Sequence, residues 1–153
     1  MIPSIFVGYL LLLQAPGAGL EQFFVGRTQG AGIVQVIMSG RHGLSDRGRG
    51  WMERGTLVLQ QVVEEQGRPA RNRTWRLLRA GNRIQGSISD ARGPVEGEVR
   101  GNVVHLRYRS GEGPSVEQWI TFHPGGRTAG NRMIFRRFGV EVARVEETIR
   151  RLD

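Results

Sequence analysis

The chain has 153 residues, with 22 basic and 14 acidic side chains and a formal net charge of +8. All the basic residues are arginine and cysteine is absent, which excludes disulfides, thiolate metal sites, a cysteine nucleophile and a lipid attached through cysteine. A domain of this length buries roughly 70% of its unfolded surface, enough for one full core. The arginine excess reads two ways: a face that attracts polyanions, or the codon bias of a GC-rich genome.

Met1 to Leu20 carries no charged side chain, and Ile5 to Leu13 is a compact apolar run, short of the about 20 residues that span a bilayer core. Gln14-Ala-Pro-Gly-Ala-Gly19 supplies a helix breaker and small residues, so residues 1–19 are predicted to be an export signal, though without a basic start. A buried N-terminal strand is the alternative. Residues 20–153 then form the domain. Leu20 to Phe24 is read as one helical turn, and Gly32 to Met38 as a strand.

Gly30-Ala-Gly32 lacks the third glycine of a dinucleotide turn and is structural. Gly43 to Gly50 begins like a phosphate-binding loop, yet Arg49-Gly50 stands where Lys-Ser/Thr is required. It is read as a flexible loop, with Ser45, Asp46 and the nearby His42 as solvated loop residues and no hydrolytic triad.

Thr56 to Glu64 and Asn72 to Arg79 alternate as strands. A meander follows: Ile84 to Asp90, Pro94 to Arg100 and Val103 to Tyr108, separated by Ala91-Arg-Gly93 and Gly101-Asn102. Val116 to His123 and Asn131 to Arg136 complete the series. Val140 and Val142 alternate as in a strand, whereas Val142, Val145, Ile149 and Leu152 fall at helical spacing, so the last segment stays open between the two. About eight strands at regular spacing indicate an all-β sandwich or barrel.

In a closed sheet the apolar parity lines the interior. Trp75, Leu77, Ile84, Ile88, Leu106, Tyr108 and Trp119 are the candidate lining, with Gly86 and Gly97 leaving room between them. These residues either surround a ligand or simply pack against one another. The candidate anion contacts are Arg71, Arg73, Arg107, Arg109, Arg132 and Arg136, with Arg71 and Arg73 placed at the strand's mouth because they share the parity of Trp75. Trp75 apart, aromatics and arginines take opposite faces, which disfavours stacking on nucleic acid. Glu96 and Glu98 share a face and are read as solvated carboxylates beside an arginine. His42, His105 and His123 are too scattered for a local metal motif, and no cofactor or catalytic residue is assigned.

Phe23-Phe-Val-Gly26, Gly32-Ile-Val-Gln35, Trp75-Arg76, Ser89-Asp90 with Gly93 and Gly97, Gly101-Asn102, Tyr108, Trp119, Asn131-Arg132 and Phe138-Gly-Val140 recur in an order that resembles the bacterial domain-of-unknown-function family 3833, over about residues 20 to 152. The resemblance implies a lipocalin-like, calycin-type antiparallel meander barrel in an envelope protein, often lipid-anchored and without established activity. The chain departs from that pattern in lacking an anchoring cysteine, in Glu117-Gln118 before Trp119 where the family tends to carry acids, and in Pro124-Gly-Gly126 in place of an acidic turn. The expected function is non-catalytic binding or carriage of a small apolar or amphiphilic molecule by an exported, periplasmic or envelope-associated protein. The alternative is an arginine-rich module that contacts anionic lipid head groups or a partner protein.

Overall fold

The structure, a computed structural model, describes residues 19–153. The expected leader over residues 1–19 thus lies, Gly19 apart, outside the described residues. A short helix, α1 (Leu20–Phe24), is followed by ten strands: β1 (Gly26–Val36), β2 (Gly40–Glu53), β3 (Thr56–Glu65), β4 (Arg71–Ala80), β5 (Arg83–Ile88), β6 (Ala91–Arg100), β7 (Val103–Ser110), β8 (Ser115–Phe122), β9 (Thr128–Arg137) and β10 (Val140–Arg151). Each strand pairs antiparallel with the next, and β10 returns to pair with β1 from Thr28↔Arg151 to Val36↔Ala143. The sheet therefore closes, and no edge is left to pair with another chain.

The barrel has ten strands, not about eight, and two segments account for the difference. Gly43 to Gly50, expected as a flexible loop, lies within β2 (Gly40–Glu53), the longest strand, paired along its length with β1 and β3. Its inward set is Leu44, Asp46, Gly48 and Gly50, while Ser45, Arg47, Arg49 and Trp51 take the other parity. Alternation of period two is present, but glycine stands where an apolar residue would announce it. The backbone of α1 fills that space: a Cβ on Gly50 would collide with the carbonyl of Phe24. The last segment, open between helix and strand, is β10, in which Val145 and Ile149 are buried and a bulge falls between Glu141 and Ala143.

Two-residue turns join β2 to β3 and β9 to β10, with Arg54 and Gly55 at φ 49° and 80° and Phe138 and Gly139 at φ 50° and 77°. Positive φ at both positions matches the right-handed twist of the flanking strands. Ser89-Asp90, not Ala91-Arg-Gly93, turns β5 into β6, so the meander's second strand starts earlier than its sequence suggests. Gly86 and Gly97 do not leave room in the interior. A side chain there would run into the carbonyls of Arg76 and His105, so these glycines let neighbouring strands bend inward.

The core is one cluster. Leu20, Phe23 and Phe24 of α1 close the end where β1 begins and β8 ends, with Phe23 packed 5.3 Å from Phe122. Burial of these three side chains stabilises by roughly 1.5–3 kcal/mol each. The opposite end, carrying the β1–β2, β3–β4, β5–β6, β7–β8 and β9–β10 turns, is the mouth.

Candidate functional site

Inside the barrel lies a cavity of about 350 Å³, floored by Leu20 and Phe24 and walled by Leu59, Leu77, Leu106 and Met133. Glu65, Arg68, Arg71, Glu112 and Arg137 border it toward the mouth. Its size is at the lower end of what small-molecule sites occupy, and its walls are mainly apolar with a few converging polar groups.

Those polar groups form a line across the wall. The Tyr108 hydroxyl donates to Gln118 Oε1 at 3.4 Å, Gln118 Nε2 to Asn131 Oδ1 at 2.9 Å, and Asn131 Nδ2 to Glu147 Oε1 at 2.7 Å. Trp75 Nε1 donates to Gln61 Oε1 at 2.6 Å, and Arg73 Nε to Asp90 Oδ1 at 3.0 Å, with the Arg73 guanidinium 5.2 Å over the Trp75 ring. Every donor in the line ends on an acceptor, as buried amides require. Burial pushes the Tyr108 hydroxyl's pKa up, against the pull of Arg73 beside it.

The line ends at a carboxyl pair. Asp46 on β2 and Glu147 on β10 both reach toward Gly30 on β1: a Cβ built there would lie 2.6 Å from Asp46 Oδ2 and 2.8 Å from Glu147 Oε2. Gly30 stands directly opposite Asp46 and Gly32 directly opposite Glu147, so two glycines on one strand leave the space the pair occupies. Burial, with Asp46 adjacent, raises the pKa of Glu147 to about 9, although the Asn131 hydrogen bond favours the ion. Glu147 Oε1 accepts from Asn131, while Glu147 Oε2 is buried without a partner. Asp46 Oδ1 is buried without a partner. Such a pair holds a proton at neutral pH and offers a free acceptor; it suits recognition of a donor or a cation.

A second cluster sits on the outer face. The His105 ring meets Glu98 at 3.1 Å and Glu117 at 2.7 Å, Arg107 pairs with Glu98 at 2.8 Å, and Arg136 with Glu117 at 2.6 Å. Arg107, beside the Glu98 carboxylate, holds its pKa down to about 2. Glu117 is also lowered; burial works against it, and Arg136 and His105 outweigh that. No group of three or more His, Asp or Glu side chains suited to a metal ion occurs among the described residues.

The predicted lining divides. Trp75, Leu77 and Leu106 border the cavity. Ile84, Ile88 and Tyr108 are buried in the core, and Gly86 and Gly97 are closed off by backbone. Trp119 is not inside: it lies on the outer face, stacked 4.9 Å from His105 with Arg132 5.7 Å from its ring. The other parity of β8, Val116, Ile120 and Phe122, is the more apolar and takes the interior. Aromatic and arginine therefore share a face at Trp119, contrary to the alternation read from the sequence. Arg73 lies within the barrel, not at its mouth, its side chain only 12% exposed, whereas Arg71 stands at the mouth. Arg107 and Arg136 are engaged by carboxylates, and Arg109 donates to the Gly113 carbonyl.

His42, read as a loop residue, lies on β2 and meets Glu65 at 2.6 Å. Asp46, read as solvated, is 5% exposed. Sequence reasoning also passed over Glu147, Asn131, Gln118 and Gln61. Their signal is parity: each is a polar residue in the inward register of a strand, as Glu147 is between Val145 and Ile149.

The sequence profile of the family described as "Protein of unknown function (DUF3833)" matches residues 12–151. No curated protein matches the chain. Among solved structures, the S-type phycobiliprotein lyase CPES from Guillardia theta is similar, with a TM-score of 0.69 at 9% identity, covering 86% of this chain and 90% of that one. At that identity the likeness concerns the lipocalin-like fold.

Proposed function

We propose a ligand-binding role for this chain, which belongs to the DUF3833 family of proteins of unknown function. The observation that carries it is the cavity of about 350 Å³, with mainly apolar walls, a polar line along one side and charged residues at its mouth, inside a closed barrel. A packed interior would leave no such space, since protein cores fill to crystal-like density. The ligand is a small apolar or amphiphilic molecule, and the role is non-catalytic. The same fold occurs in a phycobiliprotein lyase. Native mass spectrometry of the protein purified without detergent from its own host tests this. A bound molecule should be present, and Leu59→Trp, which fills the cavity, should remove it. A protein that carries nothing and takes up no apolar probe such as octanol would refute the reading.

A second role is favoured by the rim. Met38 and Phe138 are fully exposed at the tips of the β1–β2 and β9–β10 turns, with Ile37 and Val140 also exposed beside them. Arg41, Arg68, Arg71 and Arg137 stand on the same end of the barrel. Apolar tips ringed by arginine suit an anionic membrane surface, against which the mouth would receive or deliver its ligand. Export of the chain by its apolar N-terminal segment would bring it to such a surface. Co-sedimentation with anionic vesicles should exceed that with neutral ones and weaken with salt. Paired Met38→Asp and Phe138→Asp changes should abolish it; unchanged binding would dismiss the role.

A further inference from the structure

In a chain with 22 arginines, the half-buried carboxylates of Glu65, Asp90, Glu98 and Glu117 each meet a cation, yet Asp46 and Glu147 form no ion pair among the described residues. Resting on the reading that the cavity takes a ligand, we propose that these two carboxyls are its head-group site and take a cationic amine, with the amphiphile's apolar body along Leu59, Leu106 and Met133.

Asp46 is 5% exposed, and its Oδ1 and Glu147 Oε2 are buried without a partner, a state that a bound donor would relieve. An ammonium donates up to three hydrogen bonds and supplies the missing charge. A hydroxyl head donates one and supplies none, and a carboxylate head meets like charge. The surroundings favour the same choice. Thr28 on β1, Gln61 on β3, Gln118 on β8 and Asn131 on β9 are uncharged, and Tyr108 on β7 holds its proton. Arg73 on β4 is close enough for its charge to favour the Glu147 carboxylate, but it is committed to Asp90 and to the Trp75 ring. When the amine binds, Glu147 releases its proton to solvent, and both acids accept hydrogen bonds from one ammonium.

Isothermal titration of the full chain at neutral pH with octylamine, octanol and octanoate tests the site. Octylamine should bind about tenfold or more tightly than octanol, the size of one charge-assisted hydrogen bond, and octanoate weakest. Titrations in buffers of different ionisation enthalpy should reveal proton release with octylamine alone. Asp46→Asn should bring octylamine down to the affinity of octanol, and Glu147→Gln should eliminate proton release, with melting curves confirming that each variant folds. Equal binding of octylamine and octanol by the unaltered chain would overturn the head-group site while leaving a ligand-binding barrel. Binding of none of the three would overturn both.

Discussion

Glu98 and Glu147 are the same residue on the two faces of one sheet, and their acidities are driven in opposite directions. Outside, Arg107 sits 2.8 Å from Glu98 and holds its pKa at about 2. Inside, Glu147 meets Asp46 in place of an arginine, and burial raises it to about 9. The outer carboxylates are neutralised by the protein's own cations and have nothing left to offer. The inner pair is left incomplete. A site for something else is recognised by that incompleteness, more than by the number of charges present.

The contrast breaks most severely if the inner seat is filled. Gly32→Ala would drive a methyl group into the carbonyl of Glu146 and the side chain of Glu147, and should cost about 3 kcal/mol in chemical denaturation. A near-neutral result would mean that the seat does not depend on the missing side chain.

Next in size is a pH effect. Between pH about 4.5 and about 9 the folded chain binds more protons at Glu147 than the unfolded chain, so this group's contribution to stability falls as pH rises through that window. Glu147→Gln, which keeps an acceptor for Asn131, should flatten the decline when melting temperatures are compared from pH 5 to 9. Identical slopes in both proteins would show the inner carboxyl to be ionised, and the two faces alike.

The smallest effect belongs to the outer face. Glu98 is lowered, so its contribution is complete above about pH 4.5 and fades as pH falls through about 2. Arg107→Ala should return the Glu98 titration, followed by NMR, toward the usual carboxylate range, while costing under about 1 kcal/mol at neutral pH because Arg107 is partly exposed. No movement of the titration would remove Arg107 as the cause.

The all-β class, the α1 turn, most strands and the family are legible in the residues alone, because period-two alternation, glycine turns and motif order are local and survive in one dimension. The sequence did not reveal β2, where glycine occupies the inward register, and it put Trp119 on the wrong face, where a large aromatic outweighed the combined apolarity of Val116, Ile120 and Phe122. Strand count and closure emerge only in the folded chain, since the pairing of β1 with β10 joins residues more than a hundred positions apart. The carboxyl pair was decided there too. Asp46 and Glu147 come from opposite ends of the chain, and only the register that sets both against Gly30 and Gly32 brings the two acids side by side without an ion pair to any arginine among the described residues.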